Sequence, residues 1–354
     1  MQPLCGAGFD AGTNAARIAD RDAHRHSEER RLGHCRAGDS ALKSAPAGAD
    51  TVWAQPAASA VGPGEDEIAQ LAELLNRAAA VTLLCGSGCA TAATPQRHDD
   101  VVALADALAA PVVHALRRKE HLEWDNPFDV GMTGLIGCSS GYHAMLSCDT
   151  LVMLGTDFPY RHFYPARARA VQMDRRPEAL GRRTRLDRAL VGDVRSTIKA
   201  LLPRLSGAKD RRFLDAAKRH YAAARAGLDD LAIPRPGDKR IHPQYLTRLV
   251  SEPAADDAIL TADGGTPTVW AARYLAMNGR GRLIGSFNHG STANALPQAL
   301  GAQAACPRRQ VVSLSGDGGF TMLTGDFISL VKLGPIINGG GDEVIELAQT
   351  NLRR

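Results

Sequence analysis

Short, continuously apolar runs separated by helical repeats constrain this chain more than any other feature. Val81-Thr82-Leu83-Leu84-Cys85, Pro111-Val112-Val113-His114-Ala115-Leu116, Asp149-Thr150-Leu151-Val152-Met153-Leu154-Gly155, Ala170-Val171-Gln172-Met173-Asp174 and Ala189-Leu190-Val191 do not alternate apolar with polar residues. Strands of that kind are buried on both faces, which is the condition of a parallel sheet covered by helices. Between them lie helical patterns: Ile68, Leu71, Leu74 and Leu75 behind an acidic start, then Val101 to Leu108. Further on, strands at Ala258-Ile259-Leu260, Arg282 to Ser286 and Gln310 to Leu314 alternate with helices at Pro243–Val250, Pro267–Leu275 and Ala293–Gly301. The expected fold is α/β, with doubly wound parallel sheets.

The division follows from the interruptions. Residues 65–205 form a first domain; 206–240 hold a charged, Ala-rich helix (Arg211 to Leu231) and the break Ile233-Pro234-Arg235-Pro236-Gly237-Asp238. A second domain spans 241–335, and 336–354 form a tail. Residues 38–64 read as an Ala/Pro/Gly-rich linker, and 1–37, which lack periodicity, as a disordered polar segment.

Composition narrows the function classes. A net charge of +4, aromatics at 5% and no Lys/Arg block argue against nucleic acid as a partner. The seven cysteines include no Cys-x-x-Cys pair and suit reduced, buried thiols. His24, His26, His34 and Cys35 match no standard zinc spacing. With neither a membrane-length apolar run nor a signal-peptide core, the expected location is the cytoplasm.

Chemistry is expected where strands end in small-residue loops. Ser315-Gly316-Asp317-Gly318-Gly319-Phe320 reads as strand, tight loop and helix, with glycines that admit a phosphate and Asp317 as a carboxylate for Mg2+. A β-turn with a solvated Asp explains a lone Gly-Asp-Gly equally well. Asp263-Gly264-Gly265-Thr266 and Asn288-His289-Gly290-Ser291 are comparable loops of the second domain. The first domain offers Gly86-Ser87-Gly88, Gly131 to Gly137 and Gly155 to Pro159, none of them Gly-x-Gly-x-x-Gly. Asp174 can accept from a ribose hydroxyl, although alone it reads better as a strand-end turn residue.

Four of these stretches carry a specific resemblance: Gly131 to Gly137, Gly155-Thr156-Asp157-Phe158-Pro159-Tyr160-Arg161, Gly265 to Tyr274, and Gly285-Ser286-Phe287-Asn288-His289-Gly290-Ser291. Together they resemble the pyruvate oxidase-type thiamine diphosphate enzymes, which include pyruvate dehydrogenases that pass electrons to quinone. The likeness runs from about Gly38 to Leu333. It implies a complete central FAD-type domain followed by a truncated thiamine diphosphate-binding domain. By position, Met132, Thr133, Gly134, Leu135, Gly155, Thr156, Asp157, Phe158, Pro159 and Asp174 would contact the flavin nucleotide. Gly290, Ser291 and Thr292 would contact thiamine diphosphate, Gly318 and Gly319 its phosphates, and Asp317 would ligate Mg2+. The implied reaction is oxidative decarboxylation of pyruvate, with FAD passing electrons to quinone at the inner membrane. A homo-oligomer is the family's arrangement.

The sequence also departs from that family. Only Gly38 to Lys43 resemble the end of its N-terminal pyrimidine-binding domain, so the glutamate that domain supplies has no counterpart and no catalytic residue is assigned. The motif that opens at Gly-Asp-Gly should close at an Asn-Asn pair. Here Pro335-Ile336-Ile337-Asn338 follows the helix directly, in the wrong context for Asn338 to be a ligand. Gly341 to Ala348 resemble the family's extreme C-terminal tail, as if joined across a deletion that removed the closing strands and most of the lipid-binding region. A bare sheet edge and impaired turnover are expected. Three readings stand: a pyruvate dehydrogenase or oxidase, an FAD-binding module without turnover, and an inactive gene remnant.

Overall fold

The computed structural model describes residues 61–89, 98–207, 209–235, 237, 241–329 and 345–349. The N-terminal segment with its His/Cys group, the part of the linker before Val61, and Asn338 lie outside the described residues. Val61 onward forms one compact unit.

The first sheet is parallel and six-stranded. Its strands are β1 (Val81–Cys85), β2 (Val112–His114), β3 (Asp129–Met132), β4 (Thr150–Leu154), β5 (Arg169–Asp174) and β6 (Arg188–Val191). They lie in the order β3-β2-β1-β4-β5-β6. β1 and β4 are central, pair from Val81 opposite Thr150 to Cys85 opposite Leu154, and are buried at every residue. That complete burial is why their sequences run apolar without alternation. The order reverses between β1 and β4, the switch point at which a crevice opens beyond the strand ends. On one face, Leu71 and Leu75 of α1 (Glu65–Arg77), Leu104 of α2 (Asp99–Leu108) and Ile198 of α5 (Val194–Leu201) pack on Leu83, Val152 and Val171. Between β2 and β3 the chain makes the short helix α3 (Lys119–Leu122).

Two details differ from the sequence reading. The stretch read as a loop from Gly131 begins inside β3, because Asp129 interrupts the apolar run and glycine masks the strand. The helix read as part of a connecting segment, α6 (Arg212–Asp229), packs on β3 and on α4 (Ser139–Leu146), with Ala217, Phe213 and Tyr221 joining the second core face around Met145 and Met153.

The entry to α6 fastens α1 as well. The Lys209 ammonium donates to the carbonyls of Leu75 (3.2 Å), Asn76 (2.7 Å) and Ala78 (3.2 Å), which α1 leaves open at its C-terminal end. Lys209→Met keeps the stem but leaves those carbonyls without the cation. It should lower stability by about 1–2 kcal/mol, read by urea unfolding.

β2 and β3 bury a titratable pair, His114 Nε2 and Asp129 Oδ1, 3.5 Å apart. Burial pulls the imidazole down to about 4, against the pull of Glu123. Burial and the nearby Glu123 charge push the Asp129 carboxyl well above its ordinary range. A carboxyl whose native pKa is raised keeps its proton longer folded than unfolded, so its contribution to stability falls as pH rises from the unfolded value of about 4 toward the native Asp129 pKa. Asp129→Asn removes that loss. Wild type should lose stability relative to this variant as pH rises above about 4, by up to about 1.4 kcal/mol per pH unit until the native carboxyl ionises, read by urea unfolding.

The second sheet is also parallel: β7 (Ile259–Ala262), β8 (Arg282–Gly285), β9 (Val311–Ser315) and β10 (Ile345–Gln349), in the order β10-β9-β7-β8. Its helices are α7 (Pro243–Ser251), α8 (Thr266–Tyr274), α9 (Ala295–Ala305) and the short α10 (Asp317–Met322). The bare edge expected at β9 is instead covered: β10, from the tail, pairs along it from Ile345 opposite Val311 to Gln349 opposite Ser315. A five-residue stretch is long enough to satisfy the backbone groups of that edge.

The sheets are held together through α3. The buried Glu120 carboxylate accepts the Leu283 amide at 2.6 Å and Arg282 Nε at 3.2 Å, beside His121 Nε2 at 3.0 Å. Burial alone would raise this carboxyl, but the His121 hydrogen bond, the Leu283 amide and Arg282 outweigh it and hold it below its usual range. Arg273 of α8 reaches back to the carbonyls of Ile136 (3.2 Å) and Gly137 (3.3 Å). These ties bring the carboxyl ends of both sheets to face one cavity.

Candidate functional site

The cavity measures about 810 Å3. The first sheet supplies Gly86 and Ser87 after β1, Thr133 to Ile136 after β3, and Thr156 to Tyr160 after β4. The second supplies Gly264 to Thr266 after β7, and Ser286 to Asn288 with Gly290 after β8. Both strand ends therefore deliver glycine, serine and threonine, residues that bring backbone N–H and hydroxyl groups close to a ligand.

Three arginines stand in the wall: Arg117, Arg176 and Arg183. Arg183 donates to both Asp157 oxygens, at 2.8 and 3.3 Å, and Arg182 adds a 3.2 Å bond to the same carboxylate. The Asp157 hydrogen bond holds the Arg183 guanidinium above its ordinary value. Arg117 Nη1 donates to Asn288 Oδ1 at 3.2 Å across the two halves. Guanidinium forks beside glycine turns suit the oxygens of a phosphate or diphosphate.

The loop after β4 is held from behind. Its Phe158 is buried, edge-on to Tyr160 with centroids 5.2 Å apart, and Tyr164 donates to the Phe158 carbonyl at 2.6 Å. Gln172 of β5 donates to the Thr156 carbonyl at 3.0 Å. A flat ligand would thus meet a braced, partly aromatic wall.

Of the residues nominated from sequence, Thr133, Gly134, Leu135, Thr156, Asp157, Phe158, Pro159 and Gly290 line the cavity. Met132 is buried behind the wall, where its carbonyl accepts the Cys138 amide at 2.8 Å, and Gly155 sits behind it against Gly88. Asp174 ends β5 outside the wall, with Oδ1 accepting the Arg176 amide (2.9 Å) and Nε (3.3 Å), so it orients an arginine that does line the cavity. Ser291 and Thr292 are exposed beyond Gly290. Asp317 opens α10 outside the cavity wall, and its Oδ1 accepts the Gly318 amide at 2.7 Å. Gly319 is buried, packed on the carboxylate of Asp263.

The donor sets fit the groups implied by sequence. Arginine and glycine fit the phosphates of a dinucleotide, and the wall that Phe158 and Tyr160 line fits an aromatic ring system. Among the described residues no cluster of three or more His, Cys, Asp or Glu side chains could hold a metal alone. Mg2+ held partly by phosphate oxygens needs only one or two carboxylates, and Asp317 offers one. Sequence reasoning passed over Arg117, Arg176 and Arg183, because an arginine-rich stretch reads equally well as a solvated surface. It placed Asp263 in a candidate loop but gave it no role, because its partner Asn294 comes from the loop after β8.

The sequence matches known families and proteins over much of its length. Residues 68–201 match the thiamine pyrophosphate enzyme central domain, and 263–338 the C-terminal TPP binding domain. The chain is 57% identical over 197 residues to an uncharacterized 42.6 kDa protein of Pseudomonas amyloderamosa, covering 55% of this chain and 48% of that one. It is 34% identical to the putative thiamine pyrophosphate-containing protein YdaP of Bacillus subtilis, over 76% of this chain and 46% of that protein. With the large subunit of acetolactate synthase isozyme 2 of Escherichia coli it shares 30% identity, over 72% of this chain and 45% of the subunit. The chain spans about half the length of these relatives. Through its central and C-terminal domains, the chain belongs to the thiamine pyrophosphate-dependent enzyme family.

Proposed function

We propose that this chain carries the flavin and diphosphate sites of a thiamine diphosphate-dependent enzyme acting on pyruvate. The cavity between the two sets of strand ends, with three arginines among glycine and threonine loops, carries this reading. Bound thiamine diphosphate supplies the electron sink for decarboxylation of a 2-oxo acid. The chain's own residues bind and orient. Thr133 to Leu135 and Thr156 to Pro159 would hold FAD, with Arg117, Arg176 and Arg183 facing its phosphates. Gly264 to Thr266, Ser286 and Gly290 would hold thiamine diphosphate, with Gly318 and Gly319 behind them and Asp317 on Mg2+. Leu135, 72% exposed at the cavity, offers an apolar surface to the substrate or the flavin.

The resemblance at the glycine loops favours oxidation, with electrons passing through FAD to quinone. The likeness to an acetolactate synthase large subunit favours a second reading, in which the reaction ends in acetolactate. Purified protein with FAD, thiamine diphosphate, Mg2+ and pyruvate separates them. Reduction of an artificial electron acceptor supports oxidation. Acetolactate without acceptor reduction supports the second reading, and a flavin-bearing protein that gives neither is a binding module without turnover. Among the described residues no helix is long and apolar enough to cross a membrane.

A further inference from the structure

Asp263 follows β7 and is 1% exposed. Its Oδ1 accepts three hydrogen bonds: from its neighbour's amide, Gly264 N, at 3.1 Å, from Asn294 N at 2.9 Å, and from Asn294 Nδ2 at 3.0 Å. Asn294 passes the connection on. Its Oδ1 accepts the Ser286 amide at 3.1 Å, and its Nδ2 also donates to the Ser291 carbonyl at 2.6 Å. The whole 286–294 loop is thereby closed onto one carboxylate. The other oxygen, Oδ2, fills the space beside Gly319 that a Cβ there would need. Gly264 in turn lies so close to the 290–291 backbone that a Cβ would stand 2.6 Å from the Ser291 carbonyl oxygen.

We propose that Asp263 is the positioning residue of the diphosphate cradle, acting with Asn294 to lock the loops after β7, β8 and β9 at one fixed spacing. A buried carboxylate is costly unless N–H donors surround it. Here the donors come from backbone and amide groups of two loops, and the third loop packs against the same group. Two loops hydrogen-bonded to one charge, with the third packed on it, have a single low-energy arrangement, which sets their N–H groups before any ligand arrives. Asp263 itself touches no ligand in this arrangement.

The proposal rests on the reading of these loops as a diphosphate site, and its test separates the two. Asp263→Ala, Asp263→Asn and Asn294→Ala are compared with wild type, first without cofactor, by amide hydrogen exchange. In Asp263→Ala, exchange should quicken about tenfold or more in peptides covering both 286–294 and 316–320, with β4 unchanged. Asp263→Asn, whose amide oxygen can still accept the three N–H groups, should restore slow exchange. Asn294→Ala should release 286–294 alone, and serves as the second variant if Asp263→Ala does not fold. Then thiamine diphosphate with Mg2+ and FAD are titrated separately. Asp263→Ala should weaken the former about tenfold or more and leave the latter within about twofold. Exchange that changes only around residues 263–264, or equal weakening of both cofactors, would overturn the proposal. If wild type binds no thiamine diphosphate while the exchange pattern holds, the functional reading fails and the positioning role stands.

Discussion

Gly155→Ala should cost about 3–5 kcal/mol in urea unfolding, a large share of the stability of an ordinary domain. Gly155 directly follows β4 with φ of +55°, a left-handed conformation that costs a residue with a Cβ roughly 1–2 kcal/mol. Steric overlap adds to this. A Cβ there would stand 2.7 Å from the carbonyl carbon of Gly88 and 2.8 Å from its nitrogen. Both are backbone atoms, tied in place by the Gly88 amide donating to the Gly155 carbonyl at 2.8 Å. The loops after β1 and β4 must therefore part, and they part at the switch point where the cavity opens. A control comes from Gly301, inside α9, where a Cβ would meet no atom within 4 Å and alanine should stabilise by about 0.5–1 kcal/mol.

Gly319→Ala should have the second large effect, on ligand binding more than on folding. A new Cβ would stand 2.8 Å from Asp263 Cγ and overlap Oδ2 outright. Asp263 cannot swing aside without abandoning three N–H donors. The Gly316–Gly319 turn must lift instead, carrying Asp317 with it, so affinity for thiamine diphosphate with Mg2+ should fall about 100-fold. Calorimetric titration measures it. Truncating Asp263 restores the room, so Gly319→Ala combined with Asp263→Ala should cost less than the sum of the single changes.

The parallel sheets were legible because β1, β4, β7 and β9 are buried at every position, and continuous burial writes itself into sequence as an unbroken apolar run. β3 was less legible, since Asp129 and Gly131 break its pattern for reasons that lie elsewhere: one pairs with His114, the other faces the Tyr221 ring. The glycine loops were legible as loops, and eight of the residues nominated in them do line the cavity. What sequence could not show was adjacency. Arg176 and Arg183 look like ordinary surface charges until β5 places them beside Asp174 and Asp157. Asp263 looks like one more turn residue until β7 lies beside β9 and puts it under Gly319. The covered edge at β9 has the same origin, because β10 lies far along the chain and only its pairing reveals its place.

One cavity, built from both sets of strand ends, is proposed to hold a dinucleotide and a diphosphate cofactor side by side. Titrating the purified full chain with FAD and with thiamine diphosphate, with and without Mg2+, tests it most directly. Flavin fluorescence quenching should show saturable binding of one FAD per chain, weakened about tenfold or more by Arg183→Ala. Thiamine diphosphate should bind only with Mg2+ present, and in Asp317→Ala added Mg2+ should no longer support tight binding. A folded protein that binds neither cofactor, or binds FAD equally well without Arg183, would rule out a shared cavity for both.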